Sequence, residues 1–457
     1  MELKGKKVLV VGLGKSGLAA ALFLRHHGAQ VTVSDMRSAE ALAKEIPALL
    51  EEGIAVEAGG HGLLTFRRQD MIVVSPGVPL NTPEVAQAKA LGHPVLGELE
   101  LASLYLKGKT LAITGSNGKT TTTTLCGEIL KAAGLPVEVG GNIGVPVISL
   151  VEQSRADGWS VLEVSSFQLE STQEFHPEIA VILNITPDHL DRHGTFENYA
   201  MAKERIFLKQ DAQDSLVLNA DDPRTAQAAS RAHSRIFWFS RRQPVEQGAY
   251  LSDGKIFFQG GAGLQPEAIL PLSEIHLKGA HNVENVLAAV CATRLAGASP
   301  EAIRLAVASF KAVEHRLEFV AKIDGVDYYN DSKATNVDAT IKAIESFPGN
   351  IHLILGGKDK NSDYTLLHQL LRQRVKKVYT IGAAAEKIET QIRGTVPIVS
   401  AHTLKEALQS AGSQAVPGDV VLLAPACSSY DQFDNYEHRG QVFKDLVLER
   451  RGIWQNA

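Results

Sequence analysis

Short apolar runs rich in valine and isoleucine alternate along the chain with stretches in which apolar residues recur at helical spacing. The predicted strands are 7–11, 30–34, 71–75, 110–114, 160–164, 179–183, 352–355, 377–381 and 419–424, and the predicted helices include 17–27, 120–133, 282–295 and 337–346. Because these strands are apolar throughout and are separated by helices, the pattern predicts parallel sheets covered on both faces. Only 238–269 differs, where Gly-rich turns and short aromatic strands predict an antiparallel insert.

The length of the chain sets the number of domains that we expect. At 457 residues, a prior of roughly 150 residues per domain favours about three. The pattern breaks near 96–98, before the strand at 110, and near 311–315. We therefore predict an α/β protein of three domains, with boundaries at 1–97, 98–311 and 312–457.

Charge and cysteine content exclude several functional classes. With 46 basic and 51 acidic side chains, the net charge of -5 offers no basic surface for nucleic acid or an anionic membrane. The three cysteines, Cys126, Cys291 and Cys427, are too far apart for a disulfide framework or a structural zinc site. Without a signal peptide or a run of about 18 apolar residues, we expect a cytoplasmic enzyme with neither nucleic acid nor membrane as a partner.

A first phosphate-binding motif follows the first predicted strand. Gly12-Leu13-Gly14-Lys15-Ser16-Gly17 matches G-x-G-x-x-G, and Asp35 ends the next strand. Such glycines let the backbone approach a pyrophosphate at a helix N-terminus. The motif predicts phosphate binding without specifying the nucleotide, and the alternative is a Rossmann-like turn without a redox cofactor. Ser75-Pro76-Gly77 closes a third strand at the same sheet edge, where a ligand could extend.

A second loop, Gly115-Ser116-Asn117-Gly118-Lys119-Thr120-Thr121, lies between a strand and a helix. Its backbone N–H groups and the helix dipole can hold a triphosphate, with Lys119 on the β and γ phosphates and the Thr120 hydroxyl on Mg²⁺. Its spacing departs from G-x-x-x-x-G-K-[ST], because Ile113 stands five positions before Gly118. A redox enzyme has no use for this loop, so the pair of loops argues against a dehydrogenase.

Two further side chains are placed at strand ends of the central domain. Glu163 lies in the strand 160–164, and His189 follows the strand 179–183. Since the carboxyl ends of parallel strands face the crevice of a sheet, both are candidate metal ligands near the phosphate loop. Lys203, in a helix soon after His189, is by itself an ordinary helix lysine.

Several segments, in order along the whole chain, resemble the Mur ligases. They are 114–121, 163–168, 184–193, 281–285, 315–316 and 330–336. Within this family, 424–433 and 356–360 are most similar to the members that add D-glutamate, and the Asp-Asn-Pro-Arg signature of the diaminopimelate-adding members is absent. Two positions depart from the family pattern. Tyr436 stands in place of phenylalanine, and Asp359 directly precedes Lys360 where the family has a glycine between the aspartate and the lysine.

The resemblance implies a role for each matching residue. The implied catalytic residues are Lys119, Lys203, His189, Glu163 and Arg316. The implied ATP-binding residues are Gly115, Ser116, Asn117, Gly118, Lys119, Thr120, Thr121, Asn282, Asn285, Arg316 and Asp331. The implied ligands of Mg²⁺, as one or two ions, are Thr120, Glu163, His189 and a carbamylated Lys203. The implied substrate-binding residues are Gly14, Lys15, Ser16, Asp35, Arg37, Ser75, Gly77, Asn142 and His189, with Thr335, Lys360, Ser429, Tyr430 and Tyr436 in the last domain.

The resemblance also implies an architecture and a reaction. The first domain is expected to be Rossmann-like and to hold the UDP pyrophosphate, the central domain to be of the P-loop ATPase type with a mostly parallel sheet, and the C-terminal domain to be Rossmann-like and to bind the amino acid. The expected enzyme is a monomeric ATP-dependent ligase that adds D-glutamate to UDP-N-acetylmuramoyl-L-alanine through an acyl phosphate, in peptidoglycan precursor synthesis.

Three alternatives remain open from the sequence. A dehydrogenase would bind a nicotinamide nucleotide without releasing ADP. A ligase of the same architecture, such as a folate polyglutamylating enzyme or another member of the pathway, would release ADP with a different acceptor. A non-catalytic scaffold would bind ATP without turnover that depends on a substrate.

Overall fold

The computed structural model describes residues 1–311 and 313–455. Three sheets, each with helices between its strands, confirm the predicted α/β class. The first and last residues of the predicted third domain, Ala312 and Ala457, lie outside the described residues.

The first sheet has five parallel strands in the order β3-β2-β1-β4-β5. Its strands are β1 (Lys7–Val11), β2 (Gln30–Asp35), β3 (Ala55–Ala58), β4 (Met71–Val74) and β5 (Val95–Gly97), and the helices are α1 (Lys15–His26), α2 (Ile46–Glu51), α3 (Leu63–Arg67) and α4 (Pro83–Ala90). The chain winds outward from β1 to β3 and then returns to β4 beside β1. This reversal makes the carboxyl ends of β1 and β4 the switch point at which such sheets bind ligands.

The central sheet has nine strands, in the order β14-β13-β12-β11-β10-β9-β6-β8-β7. The strands are β6 (Lys109–Thr114), β7 (Val137–Gly141), β8 (Trp159–Glu163), β9 (Ile179–Ile182), β10 (Ser215–Asn219), β11 (Arg235–Ser240), β12 (Gly248–Ser252), β13 (Lys255–Gln259) and β14 (Glu267–Pro271). Along the chain the helices are α5 (Glu98–Ser103), α6 (Lys119–Ala132), α7 (Ser166–Leu169), α8 (Leu190–His193), α9 (Phe196–Glu204), α10 (Pro223–Ala228), α11 (Ala280–Leu295) and α12 (Pro300–Ser309).

The predicted antiparallel insert at 238–269 is correct only in part. Strands β12, β13 and β14 do pair antiparallel, but β11 runs parallel to β10 and β12 runs parallel to β11. The aromatic run in β11 forms an inner strand, because β11 pairs with β10 on one side and with β12 on the other.

The third sheet has six strands in the order β15-β16-β20-β17-β18-β19, parallel except for the β15–β16 pair. Its strands are β15 (Glu318–Ile323), β16 (Val326–Asn330), β17 (Ile351–Gly356), β18 (Val375–Ile381), β19 (Ile398–His402) and β20 (Val420–Leu423), and its helices are α13 (Val337–Glu345), α14 (His368–Arg374), α15 (Ala385–Ile392), α16 (Leu404–Gln414) and α17 (Tyr436–Gln455). Leu353 and Leu355 of β17 enter one core, with residues of α13 to α15, while Ile354 enters the other, with residues of α16 and α17. Both faces are therefore buried, as the continuous apolar strands predict.

The chain forms two compact units. The first comprises Met1–Ile185, Glu197–Glu274 and Glu284–Ser309, and the second comprises Thr186–Phe196, Ile275–Val283 and the chain from Phe310 onward. Two segments of the predicted central domain, 186–196 and 275–283, thus group with the third sheet. In the part of the chain that the structure describes, none of the helices has the length and apolar character needed to cross a bilayer.

Helix α5 joins the first two sheets and carries two buried carboxylates. Glu98 accepts a hydrogen bond from the backbone N–H of Ile148 at 2.7 Å, and so holds the start of the 3-10 helix Val147–Leu150. Glu100 accepts from the backbone N–H groups of Gln173 and Glu174 at 2.9 and 2.8 Å. Both side chains thus bind backbone of the central domain from α5, which joins the two sheets within one unit.

The burial of Glu98 leads to a pH-dependent stability. Burial raises the pKa of Glu98 to about 7 against the opposing backbone hydrogen bonds. The stabilisation by its neutral form is complete below the unfolded pKa near 4.5 and is lost as the pH rises through 7, a difference on the order of 3 kcal/mol. We expect the midpoint of thermal unfolding to fall between pH 5 and pH 8 by more in the wild-type protein than in Glu98→Gln, as measured by scanning fluorimetry. Parallel curves for the two proteins would contradict this prediction.

Candidate active site

The phosphate loop joins β6 to α6 and requires its two glycines. Gly115 has φ 153° and Gly118 has φ 88°, both in the region that favours glycine. A Cβ atom at Gly118 would lie 2.1 Å from Oδ1 of Asn285, and one at Gly115 would lie 3.0 Å from Cβ of Leu183. The predicted ATP-binding Asn285 therefore lies directly against this loop.

Asn184 holds the loop in shape from the end of the neighbouring strand β9. Its backbone carbonyl accepts from the N–H of Ser116 at 2.9 Å. Its side-chain oxygen accepts from the N–H of Asn117 at 2.8 Å, while its Nδ2 donates to the carbonyl of Asn117 at 3.0 Å. No role is predicted for Asn184 from the sequence, although its position after a strand of the same sheet is the signal that could have indicated one.

The ammonium of Lys119 folds back over this loop at the start of α6. Its Nζ donates to the carbonyl oxygens of Gly115 and Ser116, each at 2.9 Å. The positive charge thus lies within the turn that the sequence assigns to the triphosphate, and Thr121, two positions further along α6, is buried.

Thr120 and Glu163 meet at the carboxyl ends of adjacent strands. The Thr120 hydroxyl donates to Oε2 of Glu163 at 2.8 Å, and Nδ2 of Asn142 donates to Oε1 of the same carboxylate at 2.8 Å. The backbone N–H of Asn142 also donates to the Glu163 carbonyl at 2.8 Å. Three residues that are 43 and 21 positions apart along the chain therefore form one hydrogen-bonded group.

Lys203 is buried against the phosphate loop. Its side chain is 1% exposed, and its Nζ donates to the carbonyl of Gly115 at 2.8 Å while lying 4.6 Å from the ring centroid of Tyr199. The hydroxyl of Tyr199 lies 3.1 Å from that of Ser116. An ordinary helix lysine extends into solvent. The burial of Lys203 therefore differs from what its helix alone predicts.

The oxygen atoms of this group suit a magnesium ion. Mg²⁺ prefers hard oxygen ligands, commonly one or two carboxylates with waters and phosphate oxygens, and the Thr120 hydroxyl and the Glu163 carboxylate are of this kind. Among the described residues, no cluster of three or more histidine, cysteine, aspartate or glutamate side chains could hold a metal ion. A Mg²⁺ ion held by these two side chains would take its other ligands from phosphates and water.

The switch point of the first sheet is tightly packed backbone. The Ser75 hydroxyl donates to the carbonyl of Gly12 at 2.7 Å. A Cβ atom at Gly17 would lie 1.9 Å from that same carbonyl oxygen, so only glycine fits there. Gly14 precedes the first residue of α1, and Gly14, Lys15 and Gly77 are exposed at this edge, with Ser16 half-buried.

Asp35 and Arg37 close this edge from the end of β2. The Asp35 carboxylate accepts from the N–H of Leu13 at 2.6 Å, and Nη2 of Arg37 donates to the Leu13 carbonyl at 2.8 Å. Burial alone would raise the pKa of Asp35, but the hydrogen bonds and charge of Arg37 outweigh it and hold this pKa below its usual value. The carboxylate is therefore ionised and available as an acceptor.

In the second unit, Asp188 is the centre of an ionic group. Its Oδ1 lies 3.3 Å from Nζ of Lys360, and its Oδ2 accepts from Nδ2 of Asn336 at 2.9 Å. Burial by itself raises the pKa of Asp188, yet the charges of Lys360 and His189 and the Asn336 hydrogen bond lower it to about 2. No role is predicted for Asp188 or Asn336 from the sequence, although both lie in segments that carry the family resemblance.

His189 follows in a strained backbone conformation. Its φ of 52° is left-handed, which is rare for a residue other than glycine and clusters at functional sites. Its Nε2 lies 3.7 Å from Oδ2 of Asp188. His189 thus belongs with the second unit and pairs with the carboxylate that also holds Lys360.

One of the ATP-binding residues predicted from the sequence, Asp331, is a buried carboxyl group of the second unit. Burial raises the pKa of Asp331 to about 6, although the charge of Arg316 opposes this shift. Oδ1 of Asp331 has no hydrogen-bond partner among the described residues. Burial, together with the charge of Arg316, lowers the pKa of His281 to about 3, and Asn282 in the same helix donates to the Lys278 carbonyl at 2.6 Å.

The predicted amino-acid-binding residues Thr335, Lys360, Ser429 and Tyr430 lie on loops at the carboxyl end of the third sheet, and Tyr436 is the first residue of α17. The hydroxyl of Tyr436 accepts from Nζ of Lys333 at 3.1 Å. Thr335 is half-buried and Ser429 is buried, whereas Tyr430 is 68% exposed.

Arg439 joins these loops from the first turn of α17. The side chain is fully buried, and it donates to the hydroxyl and carbonyl oxygens of Ser332 at 3.0 and 2.8 Å and to the carbonyl of Cys427 at 3.2 and 3.1 Å. No role is predicted for Arg439 from the sequence, because the pattern of an amphipathic helix does not show whether a charged residue is buried.

The structure divides the predicted residues between its two units. In the first unit these are the phosphate-loop residues, Asn142, Glu163, Lys203 and Asn285, with a separate group at Gly14, Lys15, Ser16, Asp35, Arg37, Ser75 and Gly77. In the second unit they are His189, Asn282, Arg316, Asp331, Thr335, Lys360, Ser429, Tyr430 and Tyr436.

Three family models match consecutive parts of the chain. A MurD-like Mur ligase N-terminal domain matches residues 6–97, a Mur ligase middle domain matches 113–293, and a Mur ligase glutamate ligase domain matches 315–427. These matches follow the order of the three sheets.

Curated relatives are similar over the full length. A UDP-N-acetylmuramoylalanine--D-glutamate ligase from Acidobacterium capsulatum is 72% identical, with 100% of both chains covered. One of the same name from Koribacter versatilis is 60% identical, with 98% of each chain covered.

Solved structures share the fold. A UDP-N-acetylmuramate-alanine ligase from Thermotoga maritima matches with a TM-score of 0.60 at 20% identity, covering 97% of this chain and 100% of that one. The family matches and the full-length identities settle the assignment, and the chain belongs to the Mur ligase family.

Proposed function

We propose that this chain is an ATP-dependent ligase that adds D-glutamate to UDP-N-acetylmuramoyl-L-alanine, a step in peptidoglycan precursor synthesis. The observation that carries the proposal is its 72% identity, over the full length of both chains, to a ligase of that name. The hydrogen-bonded group at the phosphate loop supplies the chemistry that such a reaction needs.

The reaction needs ATP because a carboxylate is a poor acyl donor. Transfer of the γ-phosphoryl group to the substrate carboxylate gives an acyl phosphate and ADP. The amine of D-glutamate then attacks the acyl carbon, and the amide forms as inorganic phosphate leaves. Charge on the transferring phosphoryl group has to be neutralised, and we assign this role to Lys119 and Arg316.

The ligands proposed for Mg²⁺, as one or two ions, are Thr120, Glu163, Lys203 and His189. When bound, the metal supplies positive charge to the phosphoryl oxygens. Glu163 is already fixed by Thr120 and Asn142, so its carboxylate is held in place for this role.

We propose that Lys203 acts as a carbamate. The ammonium first loses a proton, and reaction of the resulting amine with CO₂ then forms an N–C bond and releases a second proton. The product is an anion that can bind a metal, in place of a buried cation. Complete burial of the side chain and its 2.8 Å contact with the phosphate loop support this assignment. The exposed lysines of neighbouring helices have neither property.

The substrates are assigned by sheet. We propose that domain 1–97 holds the UDP pyrophosphate, that 98–311 binds ATP with Asn285 against Gly118, and that 312–457 binds D-glutamate. Asn282, Arg316 and Asp331 complete the proposed ATP contacts, and Asn142 contacts the UDP substrate. A cytoplasmic location, where ATP is available, and a monomeric state remain predictions.

The test is release of ADP and phosphate by the purified full chain across a panel of UDP-muramoyl substrates and both glutamate enantiomers. We expect turnover only with UDP-N-acetylmuramoyl-L-alanine and D-glutamate together. Turnover with another acceptor would identify a different ligase, and binding of a nicotinamide nucleotide without ADP release would identify a dehydrogenase. ATP binding without turnover under every combination would leave only a scaffold.

A further inference from the structure

The loop that carries Lys360 is fastened to the loop that carries Ser429. The N–H of Lys358 donates to the carbonyl of Ser428 at 2.8 Å, and the N–H of Ser428 donates back to Lys358 at 3.1 Å. The Ser428 hydroxyl donates to the same Lys358 carbonyl at 3.0 Å. The two loops follow β17 and β20, which are adjacent in the third sheet, so their spacing is fixed at the sheet edge.

A buried tyrosine joins the same two loops from beneath. Tyr364 has no exposed surface. Its hydroxyl donates to Oδ1 of Asp359 at 2.8 Å and lies 2.9 Å from Sγ of Cys427. Burial, with Cys427 and Asp359 beside it, raises the pKa of Tyr364, so this hydroxyl keeps its proton and remains a donor.

Asp359 closes the turn around Lys360. Its Oδ1 accepts from the N–H of Ser362 at 3.1 Å, and its Oδ2 lies 2.6 Å from Nζ of Lys387. A carboxylate that accepts from a backbone N–H two or three residues further along the chain stabilises a turn. Asn361 lies inside this turn and has a left-handed φ of 61°. The backbone of Lys360 is therefore set by Asp359, while its ammonium faces Asp188 at 3.3 Å.

We propose that Tyr364, acting through Asp359, is a positioning residue that sets the spacing of Lys360 and Ser429 for a dicarboxylate amino acid. The inference rests on the proposed function, in which these two residues contact D-glutamate. An acceptor with two carboxylates is held by two groups at once, so a small shift of one loop relative to the other weakens both contacts. Neither Tyr364 nor Asp359 touches the acceptor itself.

The third sheet offers a matched control for a purely structural role. Tyr379 in β18 is also fully buried, and its hydroxyl lies 2.9 Å from Nδ1 of His352, near the start of β17. The Lys360 loop follows the other end of β17. Each tyrosine can be changed to phenylalanine with the loss of one buried hydroxyl from the same sheet, but only Tyr364 contacts the two loops.

The experiment compares Tyr364→Phe and Tyr379→Phe in the full chain, with initial rates of ADP release measured at varied D-glutamate. We expect Tyr364→Phe to raise the KM for D-glutamate about ten-fold, the effect of one lost buried hydrogen bond, and to change kcat less than about three-fold. The KM values for ATP and the UDP substrate should stay within about two-fold. Tyr379→Phe should lower thermal stability by about as much as Tyr364→Phe does, and it should leave all three KM values unchanged.

If Tyr364→Phe fails to fold, a second pair of variants tests the positioning role of Tyr364. Asp359→Asn keeps an oxygen that accepts from Tyr364, whereas Asp359→Ala does not, so the alanine variant should raise the KM for D-glutamate more. Equal KM values for this pair, or for Tyr364→Phe and Tyr379→Phe, would overturn the inference. Absence of ADP release with D-glutamate in the wild-type protein would instead overturn the proposed function on which it rests.

Discussion

Replacing Lys119 with alanine is expected to lower the kcat/KM for ATP at least about 10³-fold, because a preorganised charge aimed at a transferring group is worth that much. Its Nζ lies inside the phosphate loop, 2.9 Å from the carbonyl oxygens of Gly115 and Ser116. A triphosphate in this loop would take that ammonium as its counter-charge. The measurement is the steady-state rate of ADP release with both other substrates saturating.

The matched control is Lys131→Ala, at the exposed last turn of the same helix. It removes an equal charge from α6 without touching the loop, so activity should be unchanged. If Lys119→Ala kept more than about a tenth of the wild-type rate, a loss far smaller than a phosphate-binding lysine should cause, the assignment of this loop to ATP would be wrong.

Lys203→Ala is expected to lower kcat about 100-fold or more, on the scale of losing one preorganised charged group at the phosphoryl site. If the working form is a carbamate, the lost group is an anion, and the cavity left behind is the size of a lysine side chain. Bicarbonate or a short-chain carboxylate should enter it and restore part of the activity. A mass increase of one CO₂ on a peptide containing Lys203 would be an independent sign of the modification.

The control for this rescue is Lys209→Ala. Lys209 lies on the surface, where its Nζ is 2.7 Å from Glu174, and exposed pairs of this kind contribute little. Its loss should leave the rate unchanged with or without added carboxylate. Loss of activity in Lys203→Ala without rescue at any carboxylate length would mean that the ammonium itself is needed, through its bond to Gly115.

The sequence predicts the parts of the site that depend on strand ends. Placing Glu163 at the end of a parallel strand beside the phosphate loop is enough to expect it near Thr120, and the two are 2.8 Å apart. Continuous apolar strands likewise predict the buried sheets. The short strand Ala55–Ala58 gives no such signal, because its residues are exposed or half-buried.

Other parts of the site depend on contacts that no local pattern encodes. Asp188 and Lys360 are 172 residues apart, and nothing in either segment indicates that the other is its partner. The same is true of Tyr364 and Cys427, 63 residues apart. The burial of Lys203 cannot be predicted from the sequence for a related reason. Helical periodicity shows which side chains are apolar, but it does not show which charged side chains are buried.

The buried guanidinium of Arg439 has a consequence for local opening. Because it donates to backbone oxygens of Ser332 and Cys427 from the first turn of α17, that turn cannot fray without releasing both loops and leaving a charge unsolvated. Local unfolding proceeds in cooperative units. The beginning of α17 and the loops around Ser332 and Cys427 should therefore exchange their amide hydrogens together, as one element that opens only when the edge of the third sheet opens.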